Sequence, residues 1–157
     1  MSLVKVKEYF KQYNMDNRII ELNESSATVA DAAHALCCEE KEIAKSLAFK
    51  LEDEVIMIVT AGDAKIDNAK YKAYFKHKAA MLKFDEVETL VGHAVGGVCP
   101  FAINDNIKVY LDVSLKRFKY VYPACGSTNS AIKLTLEELE KYSNYLNWVD
   151  VCKDWNW

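Results

Sequence analysis

The 157-residue chain is short of the residues that interrupt folded structure, with only 5 glycines and 2 prolines. That leaves little room for low-complexity linkers and excludes a collagen-like chain. No apolar run approaches the roughly 18–20 residues needed to span a bilayer. Residues 1–13 alternate charged and apolar side chains, which is not the core of a signal peptide. The sequence therefore reads as that of a soluble, cytoplasmic protein without a membrane partner. An excess of positive charge is also missing: 20 Lys and Arg face 23 Asp and Glu, for a formal net charge of -3. A nucleic-acid partner would have to be met by a local patch. The 5 cysteines, at positions 37, 38, 99, 125 and 152, form no C-x-x-C pair. His34, His77 and His93 lack paired metal-ligand spacing, so no metal site is expected. An odd cysteine count without a secretion signal favours free thiols over a disulfide framework. Cys37-Cys38 reads either as a redox pair or as small packing residues.

What is present is a globular composition: 51% hydrophobic, 27% charged and 11% aromatic residues. One domain spanning residues 1–157 is the expectation. Leu3, Val6, Phe10 and Tyr13 share one face of a helix that Ser2 can cap. Arg18 to Leu22 reads as a short strand. Thr28 starts an alanine-rich helix to about Cys38. Ser46 to Lys50 and Val55 to Thr60 form a hairpin about a turn-like Leu-Glu-Asp-Glu, and Ala61-Gly-Asp63 breaks its second strand. Asp67 caps a helix toward Phe75. Asp85 and Glu88 form a cap-like pair before a short helix ending at Gly92. Ile107 to Asp112, Tyr120 to Ala124 and Ala131 to Leu134 read as strands. Thr135-Leu-Glu-Glu138 is a capping box opening a helix to about Tyr145, and Trp148 to Cys152 closes the sheet. Short connections and irregular alternation favour an α+β fold with a mixed, mostly antiparallel curved sheet surrounded by helices.

Gly92-His-Ala-Val-Gly-Gly-Val-Cys-Pro-Phe101 holds three of the five glycines and one of the two prolines. Adjacent glycines allow positive φ and close backbone approach to a ligand, and Pro100 stiffens the exit. Such a loop can turn two N–H groups toward a carbonyl oxygen, as an oxyanion hole requires. It equally suits a tight turn between packed strands. Lys45, in Ile43-Ala-Lys-Ser-Leu-Ala-Phe49, reads as a binding group or as a lysine whose stem lies on the core.

Thr28 to Ala33, Lys45-Ser-Leu-Ala-Phe49, Thr60-Ala-Gly-Asp63, Gly92-x-x-x-Gly-Gly-x-x-Pro-Phe101, Leu111-Asp112 and Gly126 to Leu134 occur in an order that resembles the YbaK family. These are the editing domains inserted in bacterial prolyl-tRNA synthetase and their free-standing relatives. The resemblance implies trans-editing hydrolysis of mischarged tRNA, with tRNA for proline carrying Ala or Cys as the favoured substrate. A synthetase pocket rejects a smaller side chain by only roughly 1–3 kcal/mol per methylene, so a second sieve is needed. The implied partner is the 3′ end of aminoacyl-tRNA, with prolyl-tRNA synthetase a further one and no cofactor. Lys45 matches the signature lysine, expected at the terminal phosphate or ribose. Gly96 and Gly97 match the pair whose backbone meets the aminoacyl carbonyl. Thr28, Gly92, His93, Cys99, Pro100, Phe101, Asp112 and Gly126 are carried onto the substrate-binding surface. His93 is either a general base or a packing histidine. Cys99 stands where the motif often has Ser, as a wall residue or a determinant of pocket polarity.

Residues 65–84 carry six lysines against Asp67, with Tyr71, Tyr74, Phe75 and His77 between them. The stretch reads either as a phosphate track with stacking rings or as a solvated helix. Two alternatives to the hydrolase stand beside it. One is a catalytically silent module that binds aminoacyl-tRNA or a free amino acid. The other is a thiol-redox protein using Cys37, Cys38 or Cys99. Oligomeric state is left open.

Overall fold

Ile56, Met57, Ile58 and Val59 are all fully buried. A strand apolar on both faces belongs at the centre of a covered sheet, and that is where this one lies. The computed structural model describes residues 2–157. In chain order its elements are α1 (Ser2–Lys11), β1 (Ile19–Glu21), α2 (Val29–Leu36), β2 (Ile43–Leu51), β3 (Glu54–Ala61), β4 (Lys65–Ile66), α3 (Asn68–Phe75) and α4 (Phe84–Val91). β5 (Lys108–Asp112), β6 (Tyr120–Pro123), β7 (Ser130–Ile132), β8 (Leu134–Thr135), α5 (Leu136–Ser143), β9 (Asn147–Val149) and β10 (Cys152–Lys153) follow.

The fold is a single mixed α+β domain. Its six-stranded sheet runs β8-β6-β2-β3-β5-β9, and β1-β7 and β4-β10 form small antiparallel pairs. The β2–β3 hairpin sets Lys45 opposite Thr60 and Phe49 opposite Ile56. β6 runs parallel to β2, and β5 parallel to both β3 and β9, while β8 returns antiparallel on β6. The sheet is thus mixed, with its longest ladder antiparallel. α1 buries Val6 and Phe10, and Phe10 meets Phe101 edge-on at 4.8 Å. α3 packs Tyr71 on Phe49 at 5.2 Å and Phe75 on Tyr110 at 5.1 Å.

Several boundaries differ from the sequence expectation. Ser2 lies inside α1, and its hydroxyl donates to the Gly92 carbonyl at 3.1 Å. α4 begins one residue before Asp85, because the Glu86 carboxylate accepts from the Lys83 N–H at 3.0 Å. The Trp148 to Cys152 stretch divides: β9 closes the main sheet, while Cys152 pairs with Ile66 away from it. The caps at Thr28, Asp67 and Thr135 lie where local spacing puts them.

Candidate functional site

The site begins as a gap along the outer edge of β2. β6 covers that edge at Ile43 and Ala44 and then diverges. Farther along, Leu82 N donates to Ala48 O at 3.0 Å and Lys50 N donates to Ala80 O at 2.8 Å. Main-chain groups of a strand alternate sides. The Ser46 N–H and C=O therefore face the same edge as those of Ala48 and Lys50, in the stretch that neither neighbour covers. A cavity of about 450 Å³ opens there, within the range of small-molecule sites.

Three further segments close the cavity. The start of α2 gives Thr28, Val29 and Ala32, the glycine loop gives Val95, Gly96 and Val98, and the region around β7 gives Ala124, Ser130 and Ala131. Thr28 owes its position to capping, since its Oγ1 accepts from Asp31 N at 3.1 Å. Met81, Leu82 and Phe84 form the remaining side. Most of these side chains are small or apolar.

Lys45 is the only charged residue on the lining among the described residues. Its Nζ lies 3.5 Å from the Gly62 carbonyl, the outer limit of a hydrogen bond. Burial lowers its pKa, with Asp63 among the groups that oppose the shift. The turn below it is held from outside. Arg117 forks onto the Asp63 carboxylate at 2.9 and 2.6 Å, which lowers the Asp63 pKa. Gly62 is required here, because a Cβ would fall 1.9 Å from the Glu40 carbonyl oxygen.

The two adjacent glycines do different things. Gly96 has φ +95 and lines the cavity, and its N–H has no hydrogen-bond partner among the described residues. Gly97 is buried off the cavity. Its N–H donates to the Ala94 carbonyl at 3.0 Å, and a Cβ would fall 2.6 Å from the main chain of Gly126 and Ser127. Gly97 therefore supports the loop by close packing and has no free N–H to offer an acyl oxygen.

Lys45, Gly96 and Thr28 thus share one hollow. The other expected site residues lie off the lining, most of them around the loop and Asp112 at the end of β5. Gly92 ends α4 with φ +103, and its carbonyl accepts from Ser2 and from Lys5 Nζ. His93 is fully buried and its Nε2 donates to Phe101 O at 2.6 Å. Burial lowers the His93 pKa against the opposing pull of that carbonyl, so the ring is neutral at pH 7. Cys99 is equally buried, with Sγ 3.5 Å from His93 Nε2, and burial pushes its thiol up to about 12. Pro100 and Phe101 are buried, Phe101 in the core against Phe10. Asp112 is also buried, accepting from Ser114 N and Val151 N at 2.9 Å each. Gly126 packs on the first turn of α1.

Sequence reasoning missed Ser26, Ala27, Ser46, Met81, Phe84, Tyr122, Ala124, Ser130 and Ala131 as lining residues. Ser46, Ser130 and Ala131 lie within the motif segments quoted above, and Phe84 and Met81 stand out as large apolar residues in a lysine-rich stretch. Ser46, Tyr122, Ala124, Ser130 and Ala131 reach the cavity through strand pairing, and Ser26 and Ala27 through the loop before α2, where Ser26 N donates to the Thr128 carbonyl. Among the described residues, no group of three His, Cys, Asp or Glu side chains is arranged to hold a metal ion. No helix there is long and apolar enough to cross a membrane.

This frame places the chain in a known class. Residues 23–142 match the aminoacyl-tRNA editing domain family, and the chain belongs to that family, of the YbaK type. It is 54% identical over 156 residues to Uncharacterized protein YwhH of Bacillus subtilis (strain 168), covering 99% of each. It is 28% identical over 104 residues to proline--tRNA ligase of Kosmotoga olearia, matching 64% of this chain and 18% of the ligase. A solved structure described as a candidate trans-editing enzyme for prolyl tRNA synthetase superposes with a TM-score of 0.87 at 26% identity, covering 97% of both chains.

Proposed function

We propose that the protein is a trans-editing hydrolase that deacylates mischarged tRNA, with tRNA for proline carrying Ala or Cys as its substrate. The observation that carries this reading is that Lys45 and Gly96 line one cavity of about 450 Å³. A single ammonium can anchor the phosphate or ribose of the terminal nucleotide while the unspent Gly96 N–H meets the acyl oxygen. A charge-assisted contact of this kind contributes about 1.5–3 kcal/mol. The outward main chain of Ser46 offers a second polar edge. Small apolar walls suit a small amino-acid side chain.

In the reaction, water attacks the ester carbonyl carbon and negative charge gathers on the acyl oxygen, where a fixed N–H stabilises it. The bond from that carbon to the ribose oxygen then breaks. The ribose oxygen takes a proton originating from the water, and the free amino acid leaves. No imidazole or carboxylate lines the cavity among the described residues, so this reading uses an oriented water and an activated ester without a side-chain base. Prolyl-tRNA synthetase as a partner and a cytoplasmic location belong to the same proposal.

The test is release of amino acid from Ala-tRNA and Cys-tRNA in a panel crossing several mischarged amino acids with two tRNA species. Release confined to small amino acids on tRNA for proline is expected. A protein that binds these tRNAs and leaves all of them charged would instead be the silent binding module. Retention of deacylation after all 5 cysteines are replaced by Ser or Ala would remove the basis of the redox reading.

A further inference from the structure

Phe84 is the first residue of α4, and 79% of it is exposed. The fold has no evident use for it there. α4 buries Val87 and Val91 instead, and Phe84 takes no part in the hydrophobic core. Met81, 59% exposed, stands outside the core in the same way. Both side chains border the cavity described above. Exposed apolar surface gathered at the mouth of a cleft marks a contact site.

This lip is firmly mounted. Met81 bridges Phe49 of β2, and the Leu82 N–H and Ala80 carbonyl hydrogen-bond β2 on either side of it. Glu86 caps the Lys83 N–H and accepts from Lys50 Nζ at 2.6 Å. The platform is therefore strapped to the strand that carries Lys45, roughly 13 Å along it at about 3.3 Å per residue.

Charge narrows the choice of occupant. Residues 76–83 contain Lys76, Lys78 and Lys83 and no acid. None of these three lysines is ion-paired among the described residues. The rings that sequence spacing offered for stacking are buried or held by neighbours, and none lines the cavity. Tyr71 and Phe75 are buried, and Tyr74, 44% exposed, lies edge-on to Phe75 and Tyr110. His77 lies 3.0 Å from the Glu52 carboxylate. Asp85 and Glu86 follow Phe84, with Glu86 paired to Lys50, and Lys76 Nζ donates to the Ala73 carbonyl at 2.8 Å. An exposed ring and thioether at the end of a stretch of lysines outside any ion pair suit a flat base carried on a phosphate backbone.

We propose that Phe84, with Met81, is a stacking platform for the terminal base of the acceptor strand, and that Phe84 is a positioning residue for the ester in the cavity. This rests on reading the cavity as the aminoacyl-tRNA site. The probe is the uncharged trinucleotide ending in cytidine, cytidine and adenosine, titrated at low salt beside the same trinucleotide with an abasic 3′ end. In the wild type, loss of the terminal base is expected to weaken binding at least tenfold. Phe84→Ala should weaken the intact probe by a similar factor and leave the abasic probe unchanged, and Phe84→Trp should restore the intact one. Equal binding of both probes by the wild type overturns the platform. So does unchanged binding of the intact probe by Phe84→Ala, equal loss on both probes, or no binding at all. Amino-acid release from Ala-tRNA by the wild type is measured separately. A protein that binds the intact probe through Phe84 and releases nothing keeps the platform and loses the hydrolase. One that releases amino acid with KM unmoved by Phe84→Ala loses the platform alone.

Discussion

Lys45 and His93 show how burial separates two residues that the sequence offers as candidate functional groups. Lys45 keeps its place on the cavity lining. Lys45→Ala should slow release from Ala-tRNA at least tenfold, a barrier change of about 1.4 kcal/mol. Single-turnover rates check this, and an unchanged rate would remove the ammonium from the mechanism. His93 sits behind the loop with Nε2 on Phe101 and Nδ1 unpartnered. Burial holds its folded pKa below the ordinary value, so as pH falls the unfolded chain takes up the proton first. Stability should therefore decline from about pH 6.5 down through the lowered folded value, below which the whole penalty remains. Melting curves from pH 8 to 5 should show a smaller fall in Tm for His93→Gln than for the wild type. Parallel falls would show that the imidazole is not responsible. The thiols divide in a similar way. Cys37 is exposed, Cys38 half-buried, and Cys99, Cys125 and Cys152 buried. A thiol reagent should modify Cys37 first, Cys38 more slowly because burial and nearby acids raise its pKa to about 11, and the other three only on unfolding.

At the scale of the element, caps were legible because their chemistry is local. Thr135 and Glu138 satisfy each other's N–H groups across three residues, so no distant contact is needed to place the start of α5. Thr135→Ala should cost about 1 kcal/mol, seen in the denaturation midpoint. The glycine loop was legible only as a loop. Whether each glycine faces a ligand or a neighbouring backbone depends on Gly126, about thirty residues away in a different segment. Gly97→Ala must displace the Gly126 and Ser127 main chain. It should destabilise by about 1–3 kcal/mol, a Tm fall of roughly 2–4 °C for each kcal/mol in a chain of this size. A variant melting with the wild type would contradict the close packing.

Across the whole molecule, a net charge of -3 coexists with three lysines over residues 76–83, the stretch that leads into Met81 and Phe84 at the cavity. Binding of a single-stranded 3′ end should therefore weaken as salt rises. Lys78→Ala should reduce the log–log slope by about 0.7 if that ammonium meets a phosphate, and leave it unchanged otherwise. The amino-acid sequence alone pointed to the mixed α+β class, the hairpin, the caps of α2, α3 and α5, the editing-domain family, and Lys45 with the glycine loop as the place to look. The class, hairpin and caps follow from periodicity and short-range hydrogen bonding, which involve neighbours in the chain, whereas the family, and with it Lys45 and the glycine loop, comes from the resemblance of an ordered set of motifs. The tertiary structure decided that Gly96 opens on the cavity while Gly97 is packed away. It also placed Phe101 in the core, Asp112 on the Ser114 and Val151 N–H groups, and Ser46, Met81 and Phe84 along the hollow. Those outcomes depend on where β6 leaves the edge of β2 and on which segments then close the gap. That is a matter of packing between residues far apart in the chain, and no local spacing records it.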